Sequence, residues 1–182
     1  MTIEGQSGVS PEEPAAERLR IRLIKAKDAE LIWQWANDPS VRMNAFHQET
    51  ISLETHLEWF RRRLASSDTR IWVLEASGVP VAQIRYDRVQ PGAAEISFTV
   101  SADHRGRGFG TYMLIHTAER ACRALGVRSV QGVAFKTNQA SARAFIKAGF
   151  QQSAEKLISG HLCYVFTREF HDKGGESGPQ GD

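Results

Sequence analysis

From Arg18 the run RLRIRLIK alternates apolar and charged residues, the period of a half-buried strand. The period then lengthens. Residues 27–37 read as a short helix with Leu31, Ile32 and Trp35 on one face, and Pro39 opposes its continuation. Ser52 is a good N-cap for a second helix, with Glu54 in the first turn, where the dipole favours an anion. Its Leu53, Leu57, Phe60 and Leu64 recur at helical spacing and predict a core face. Three strands in a meander follow, over 70–75, 81–89 and 95–101, turned by Ser77-Gly78-Val79-Pro80 and by Pro91-Gly92. On the third, Ile96, Phe98 and Val100 share one face and Glu95, Ser97 and Thr99 the other. A Gly-rich run leads into a helix over 109–125 that Gly126 stops. A strand at 129–135, a helix at 138–148 capped by Asn138, and closing strands at 150–156 and 161–167 complete the pattern. The order βααβββαβαββ predicts an α/β fold, a mixed sheet with helices on both faces.

With 182 residues, 41% of them hydrophobic, the chain can build one domain with a sizeable core. That domain is expected over 18–171. Residues 1–17 and 172–182 are too polar and too rich in Gly, Pro and Glu to offset their ordering entropy, so both are expected to be disordered. Lys plus Arg number 23 against 21 Asp plus Glu, a net charge of +2, which lacks the basic field of a non-specific nucleic-acid binder. No apolar run is long enough to cross a bilayer, and the first residues have no apolar signal core. Cys122 and Cys163 show no zinc or redox spacing, so neither a metal nor a disulfide framework is expected and both read as small buried side chains. A cytoplasmic protein without membrane partner, monomeric or homodimeric, is the expectation.

The chemistry concentrates at Arg105-Gly106-Arg107-Gly108-Phe109-Gly110, between a strand and a helix. Glycines there let several backbone N–H groups converge on one anion at a helix N-terminus, the geometry of a phosphate cradle. Phe109-Gly110-Thr111-Tyr112 lacks the Lys of a Walker loop, and G-x-G-x-G is not the dinucleotide fingerprint. A tight strand-to-helix turn without any ligand is the competing reading.

Arg105-x-x-Gly108-x-Gly110 resembles the [RQ]-x-x-G-x-[GA] signature of the GNAT superfamily of acyl-CoA-dependent N-acetyltransferases. Downstream, Asn138-x-x-Ser141-x-x-x-Phe145 and Gly149-Phe150 resemble its second signature, and the order of elements agrees from about Leu19 to Arg168. The resemblance implies the GNAT fold, with acetyl-CoA as co-substrate. It implies that the backbone of Gly106, Arg107, Gly108, Phe109 and Gly110 holds the pyrophosphate, with the Arg105 and Arg107 side chains helping at the phosphates and Thr111 also at the co-substrate. It places the pantetheine along Phe98, Thr99 and Val100, where a backbone N–H polarises the thioester carbonyl, with Asn138 and Phe145 beside the arm.

Acetyl transfer to an amine requires removal of the ammonium proton and favours protonation of the departing thiolate. Glu95 occupies the position at which several GNAT members carry a catalytic carboxylate. Phe145 stands where the family's usual acid is Tyr, and Phe cannot donate a proton. Ser141, one turn earlier, is the candidate substitute; a hydroxyl bonded back to its own helix is its structural alternative.

Acceptor choice is expected in the two N-terminal helices. Trp33-x-Trp35-Ala-Asn37-Asp38-Pro39-x-Val41-Arg42 and His56-x-x-Trp59-Phe60 resemble the branch that acetylates UDP-4-amino-sugars, with Trp35, Arg42, His56, Trp59 and Arg63 as its candidate acceptor residues. On the second helix Trp59 would offer a flat surface to a base and Arg63 a cation to a diphosphate. The alternatives are a protein N-terminal acetyltransferase of the ribosomal-protein type and a degenerate domain that senses acyl-CoA.

Overall fold

Local chemistry already shapes most elements of the computed structural model, which describes residues 17–170. The expectation for the chain ends therefore lies outside the described residues, apart from Glu17. The strands are β1 (Leu19–Leu23), β2 (Thr69–Ala76), β3 (Val79–Gln90), β4 (Ala93–Val100), β5 (Ser129–Phe135), β6 (Gln151–Gln152), β7 (Lys156–Ile158) and β8 (His161–Glu169). The helices are α1 (Ala29–Ala36), α2 (Pro39–Met43), α3 (Leu53–Ala65), α4 (Phe109–Leu125) and α5 (Gln139–Lys147), with short 3₁₀ turns before α1 and after β4. One mixed sheet runs β1-β2-β3-β4-β5-β8-β6, with β7 also paired to β8.

Two hairpins turn on Ser-Gly pairs. Ser77 and Gly78 have φ of 50° and 87°, and Ser159 and Gly160 have 48° and 81°. Both residues of each turn are left-handed, which matches the twist of the flanking strands. Ser52 caps α3 as expected, accepting from Thr55 N at 3.2 Å. Pro39 does more than end α1: it opens α2 behind Asp38, whose carboxylate accepts from Ser40 N and Val41 N. The closing strand expected over 150–156 is divided into β6 and β7.

Strand alternation sorts the two faces. Ile84, Tyr86, Ala94 and Ile96 lie under α4 and α5 in the larger core, where the Tyr86 hydroxyl meets Thr117 Oγ1 at 2.8 Å. Gln83, Arg85 and Asp87 alternate with those residues on β3 and pair with Thr99, Ser97 and Glu95 on β4. They face α1 and α3, which pack through Ala29, Ile32 and Phe60. The core face of α3 is rotated from the expected one. His56 (3% exposed) and Phe60 (2%) point inward, while Leu64 is 40% exposed. Sheet proximity, not the leucine repeat, sets that rotation, because β3 presents polar side chains that the C-terminal turn of α3 can reach.

Candidate active site

The site begins where the sheet parts. β4 and β5 pair in parallel from Ala93↔Ser129 only to Ile96↔Gly132, although β4 continues to Val100 and β5 to Phe135. Beyond Ile96 the two strands diverge, because β5 stays paired to β8 through Phe135↔Cys163. The β5-side edge of β4 over 97–100 is thereby left without a strand partner, an opening that an extended chain can fill by strand-like hydrogen bonds.

At the mouth of this opening lies the glycine loop. Gly106 and Gly108 have φ of 78° and 84°, and a Cβ on either would meet nothing within 4 Å. Glycine is needed there for backbone conformation, since a left-handed residue is strained for other side chains. The backbone N–H groups of residues 106–111 donate to no acceptor among the described residues. Tyr112 N–H is the first of the run to do so, to Gly108 O at 2.9 Å. Such free donors at the start of a 17-residue helix fit a pyrophosphate. Gly110 has a different reason to be glycine: a Cβ would stand 2.9 Å from Phe98 Cε2. The residues present therefore fit acetyl-CoA: the free N–H groups of the loop suit a pyrophosphate, and the open edge of β4 suits an extended arm.

A cleft of about 1420 Å³ joins these parts and runs on beneath the segment linking α2 to α3. Glu95, Ser141, Asn138, Thr111, Arg42, His56 and Trp59 all border it. Glu95 is solvent-exposed there, on the β4 face turned away from α4. Asn138 caps α5, accepting from Ser141 N at 3.1 Å. The half-buried Ser141 hydroxyl makes no hydrogen bond among the described residues, so the back-bonded alternative does not hold.

Other expected site residues are off the cleft or are held by contacts of their own. Arg63 does not border the cleft and donates to Asp87 Oδ1 at 3.1 Å. Trp35 lines a separate hollow of about 230 Å³ beside Asp38 and Arg105, and packs against the α1–α3 core. His56 is core: its Nε2 lies 2.9 Å from the Ala29 carbonyl, which requires the proton on that nitrogen. Burial holds its pKa below the ordinary histidine value, the backbone hydrogen bond opposing the shift. Phe145 is 2% exposed, stacked on Phe166 with centroids 4.8 Å apart and edge-on to Phe98. Its ring floors the cleft from within the core. Arg107 turns outward, donating to the Glu17 carboxylate at 2.9 Å, with its guanidinium 5.1 Å from the Phe109 centroid.

The Trp-Asn-Asp-Pro run has a scaffolding role that its spacing did not reveal. Trp33 Nε1 donates to Ile51 O at 2.7 Å, and Asn37 both donates to Ile51 O (3.0 Å) and accepts from Ile51 N (2.8 Å). Together they pin the segment that walls the cleft. Phe46 on that segment meets the Phe135 ring edge-on at 5.1 Å, beside the stacked His161. Arg105 is committed as well, donating to Val100 O, Ser40 Oγ and Asp38 Oδ1 at 3.2, 2.6 and 3.0 Å. It locks the glycine loop to the cap of α2 and is not a free phosphate ligand.

The hydrogen bond from Ser40, then that from Arg105, holds the Asp38 carboxyl down to about 2, against the desolvation that opposes them. A carboxyl with a depressed folded pKa contributes stability above its unfolded value, and that contribution disappears as pH falls through the folded value. Asp38→Asn should therefore lower stability at neutral pH and flatten the loss of stability between about pH 4 and pH 2, measured by urea melts across that range.

Sequence reasoning did not single out Arg62, Arg85 or Gly132. The first two line the cleft, and Gly132 sits at the point where β4 and β5 part. The signal for Arg85 was available in the alternation of Gln83, Arg85 and Asp87 along β3. That for Gly132 was a glycine in the interior of a strand, between Gln131 and Val133.

Among the described residues no helix is long and apolar enough to cross a membrane, and no group of His, Cys, Asp and Glu could hold a metal ion. YwnH of Bacillus subtilis (strain 168), provisionally assigned as a phosphinothricin acetyltransferase, is 29% identical over 141 residues, 74% of this chain and 85% of that protein. The fold is shared with yncA of Salmonella typhimurium, provisionally assigned as an acetyltransferase and solved with acetyl-CoA, at a TM-score of 0.72 and 19% identity over 86% of this chain and 96% of that one. It is shared too with spermidine N-acetyltransferase of Vibrio cholerae, solved with CoA and spermine, at 0.74 and 14% identity over 83% and 95%. The family model described as an acetyltransferase (GNAT) domain matches residues 18–151, so with its parted strands and glycine loop this chain belongs to the GNAT acetyltransferase family and is an acetyl-CoA-dependent N-acetyltransferase.

Proposed function

We propose that the acceptor is a primary amine on a negatively charged body, specifically a UDP-linked 4-amino-sugar. The charge of the cleft carries this reading. Its walls hold Arg42, Arg62, Arg85, Arg105, Arg143 and Lys147, against only Glu49 and Glu95. The last three cations lie toward the glycine loop and α5, whereas Arg42, Arg62 and Arg85 stand at the acceptor end with Trp59. Arg42 is partly buried there, and its Nε has no hydrogen-bond partner among the described residues. A cavity of about 1420 Å³ exceeds the roughly 300–1,000 Å³ typical of a single small-molecule site, which suits two large ligands. Polycations such as spermidine would meet like charge.

Acetyl-CoA supplies the activated acetyl group. In the proposed mechanism Glu95 accepts the ammonium proton, through a water, leaving a neutral amine to attack the thioester carbon. The N–H groups of Phe98 and Val100, which point away from β3 to the open edge of β4, stabilise the oxyanion that forms on the carbonyl oxygen. Ser141 donates a proton to the departing sulfur and regains one, through water, from the attacking nitrogen, so the products are the N-acetylated amine and free CoA.

An acceptor panel tests the reading by release of free CoA, with a UDP-4-amino-sugar, phosphinothricin, spermidine, kanamycin and a Ser-starting peptide. The expected result is a kcat/KM for the nucleotide-sugar at least roughly tenfold above those of both polycations. A higher value for phosphinothricin would keep the charge argument and replace the nucleotide by a small amino acid. A preference for spermidine or kanamycin would overturn the charge argument, and one for the peptide would make a protein N-terminus the acceptor.

A further inference from the structure

We infer that Arg85 is the residue that grips the anionic group of the acceptor, held in position by Asp87 and Trp59. This rests on the anionic-acceptor reading and names the side chain that would enforce it. Arg85 lies on β3 at the cleft wall, with its side chain 23% exposed. One edge of its guanidinium is fixed: Nε donates to Asp87 Oδ2 at 2.6 Å. One face is fixed as well, because the guanidinium carbon sits 5.0 Å from the centroid of the Trp59 ring. Asp87 is itself held by Thr69 Oγ1 at 2.7 Å and by Arg63 at 3.1 Å, both on Oδ1. What remains is the outer edge, the Nη1 and Nη2 groups, which make no hydrogen bond among the described residues. That edge is the fork that receives a carboxylate or phosphate in two parallel bonds.

Position favours the same role. Arg85 pairs with Ser97 and Asp87 with Glu95 across β3 and β4, so Arg85 and Glu95 are diagonal neighbours on one sheet face, about 7–8 Å apart at the backbone. An anion bound by Arg85 would hold an attached amine near the proposed base. Pre-fixing the guanidinium also removes rotamer entropy that a free arginine would lose on binding. Arg63, on the helix above, is spent on Asp87 and reaches the ligand only through it. It is a positioning residue two contacts away.

The test uses the full chain with acetyl-CoA saturating, and measures kinetics for a UDP-4-amino-sugar, for phosphinothricin and for the uncharged-bodied amine benzylamine. Arg85→Gln should raise KM for the anionic acceptors roughly 10- to 100-fold, the worth of a charge-assisted hydrogen bond. The KM values for acetyl-CoA and benzylamine should stay unchanged, and the salt dependence of the anionic KM should weaken. Arg85→Lys, which keeps the charge but lacks the fork, should recover only part of the loss. Asp87→Asn, which loosens the fork without removing it, should raise the anionic KM by a smaller factor and leave kcat for benzylamine intact. If the parent enzyme prefers anionic acceptors but Arg85→Gln and Arg85→Lys leave that preference untouched, the Arg85 inference fails while the anionic reading survives. If the variants lower turnover of all three amines equally, Arg85 is structural and the inference fails. If the parent shows no preference for anionic acceptors, both fall together.

Discussion

Glu95→Gln is expected to lower turnover by roughly 10²-fold or more while acetyl-CoA affinity stays at the parent level. Gln keeps the shape and the hydrogen-bonding reach of the side chain but cannot accept the ammonium proton. Glu95 is exposed in the cleft, its neighbours across β3 and β5 are Asp87 and Gln131, and it forms no salt bridge among the described residues that the substitution could remove. The fold should therefore tolerate it. Stopped-time assays of CoA release across pH would show the acidic limb of the rate profile altered, because that limb reports protonation of the base. Calorimetry with acetyl-CoA supplies the control. Preserved turnover with an unchanged acidic limb would make Glu95 a bystander, and the proton would then have to leave through water or another cleft carboxylate such as Glu49.

Gly132→Ala should be the most damaging of the small substitutions. Gly132 ends the parallel pairing of β4 and β5, and a Cβ there would fall 2.6 Å from Phe145 Cε1 and 3.0 Å from Cε2, closer still to Cζ. Phe145 cannot step aside, because its ring is stacked on Phe166 and edge-on to both Phe98 and Phe150. Overpacking of a closed core should cost about 3 kcal/mol, or roughly 6–12 °C in Tm for a chain of this size. The displaced Phe145 would press on Phe98, which borders the acetyl-CoA opening, so affinity for acetyl-CoA should fall too. Phe145→Leu in the same chain makes room and should recover part of the stability. Additive losses in the double variant would show that the two residues do not share the strain.

Much of this protein is written locally. The Ser-Gly hairpins, the Ser52 and Asn138 caps and the glycine loop depend on dihedral preferences and hydrogen bonds spanning two to four residues, which the order of amino acids specifies directly. The alternation along β4 likewise separated Glu95 from Ile96 and Phe98, and the two signature blocks identified the family and its acetyl donor. What lay beyond the sequence was the partner of each charged or aromatic side chain. Arg105 finds Asp38 across 67 residues, and Arg63 finds Asp87 across 24. A helix turns about 100° per residue, so a modest rotation of α3 moved His56 into the core, sent Leu64 to solvent and took Arg63 off the cleft. The same docking laid Trp59 over Arg85, a residue with no motif of its own. Local rules determine which way a backbone turns. Only the packed sheet, by choosing how α3 lies against β3, decided which arginines line the cleft.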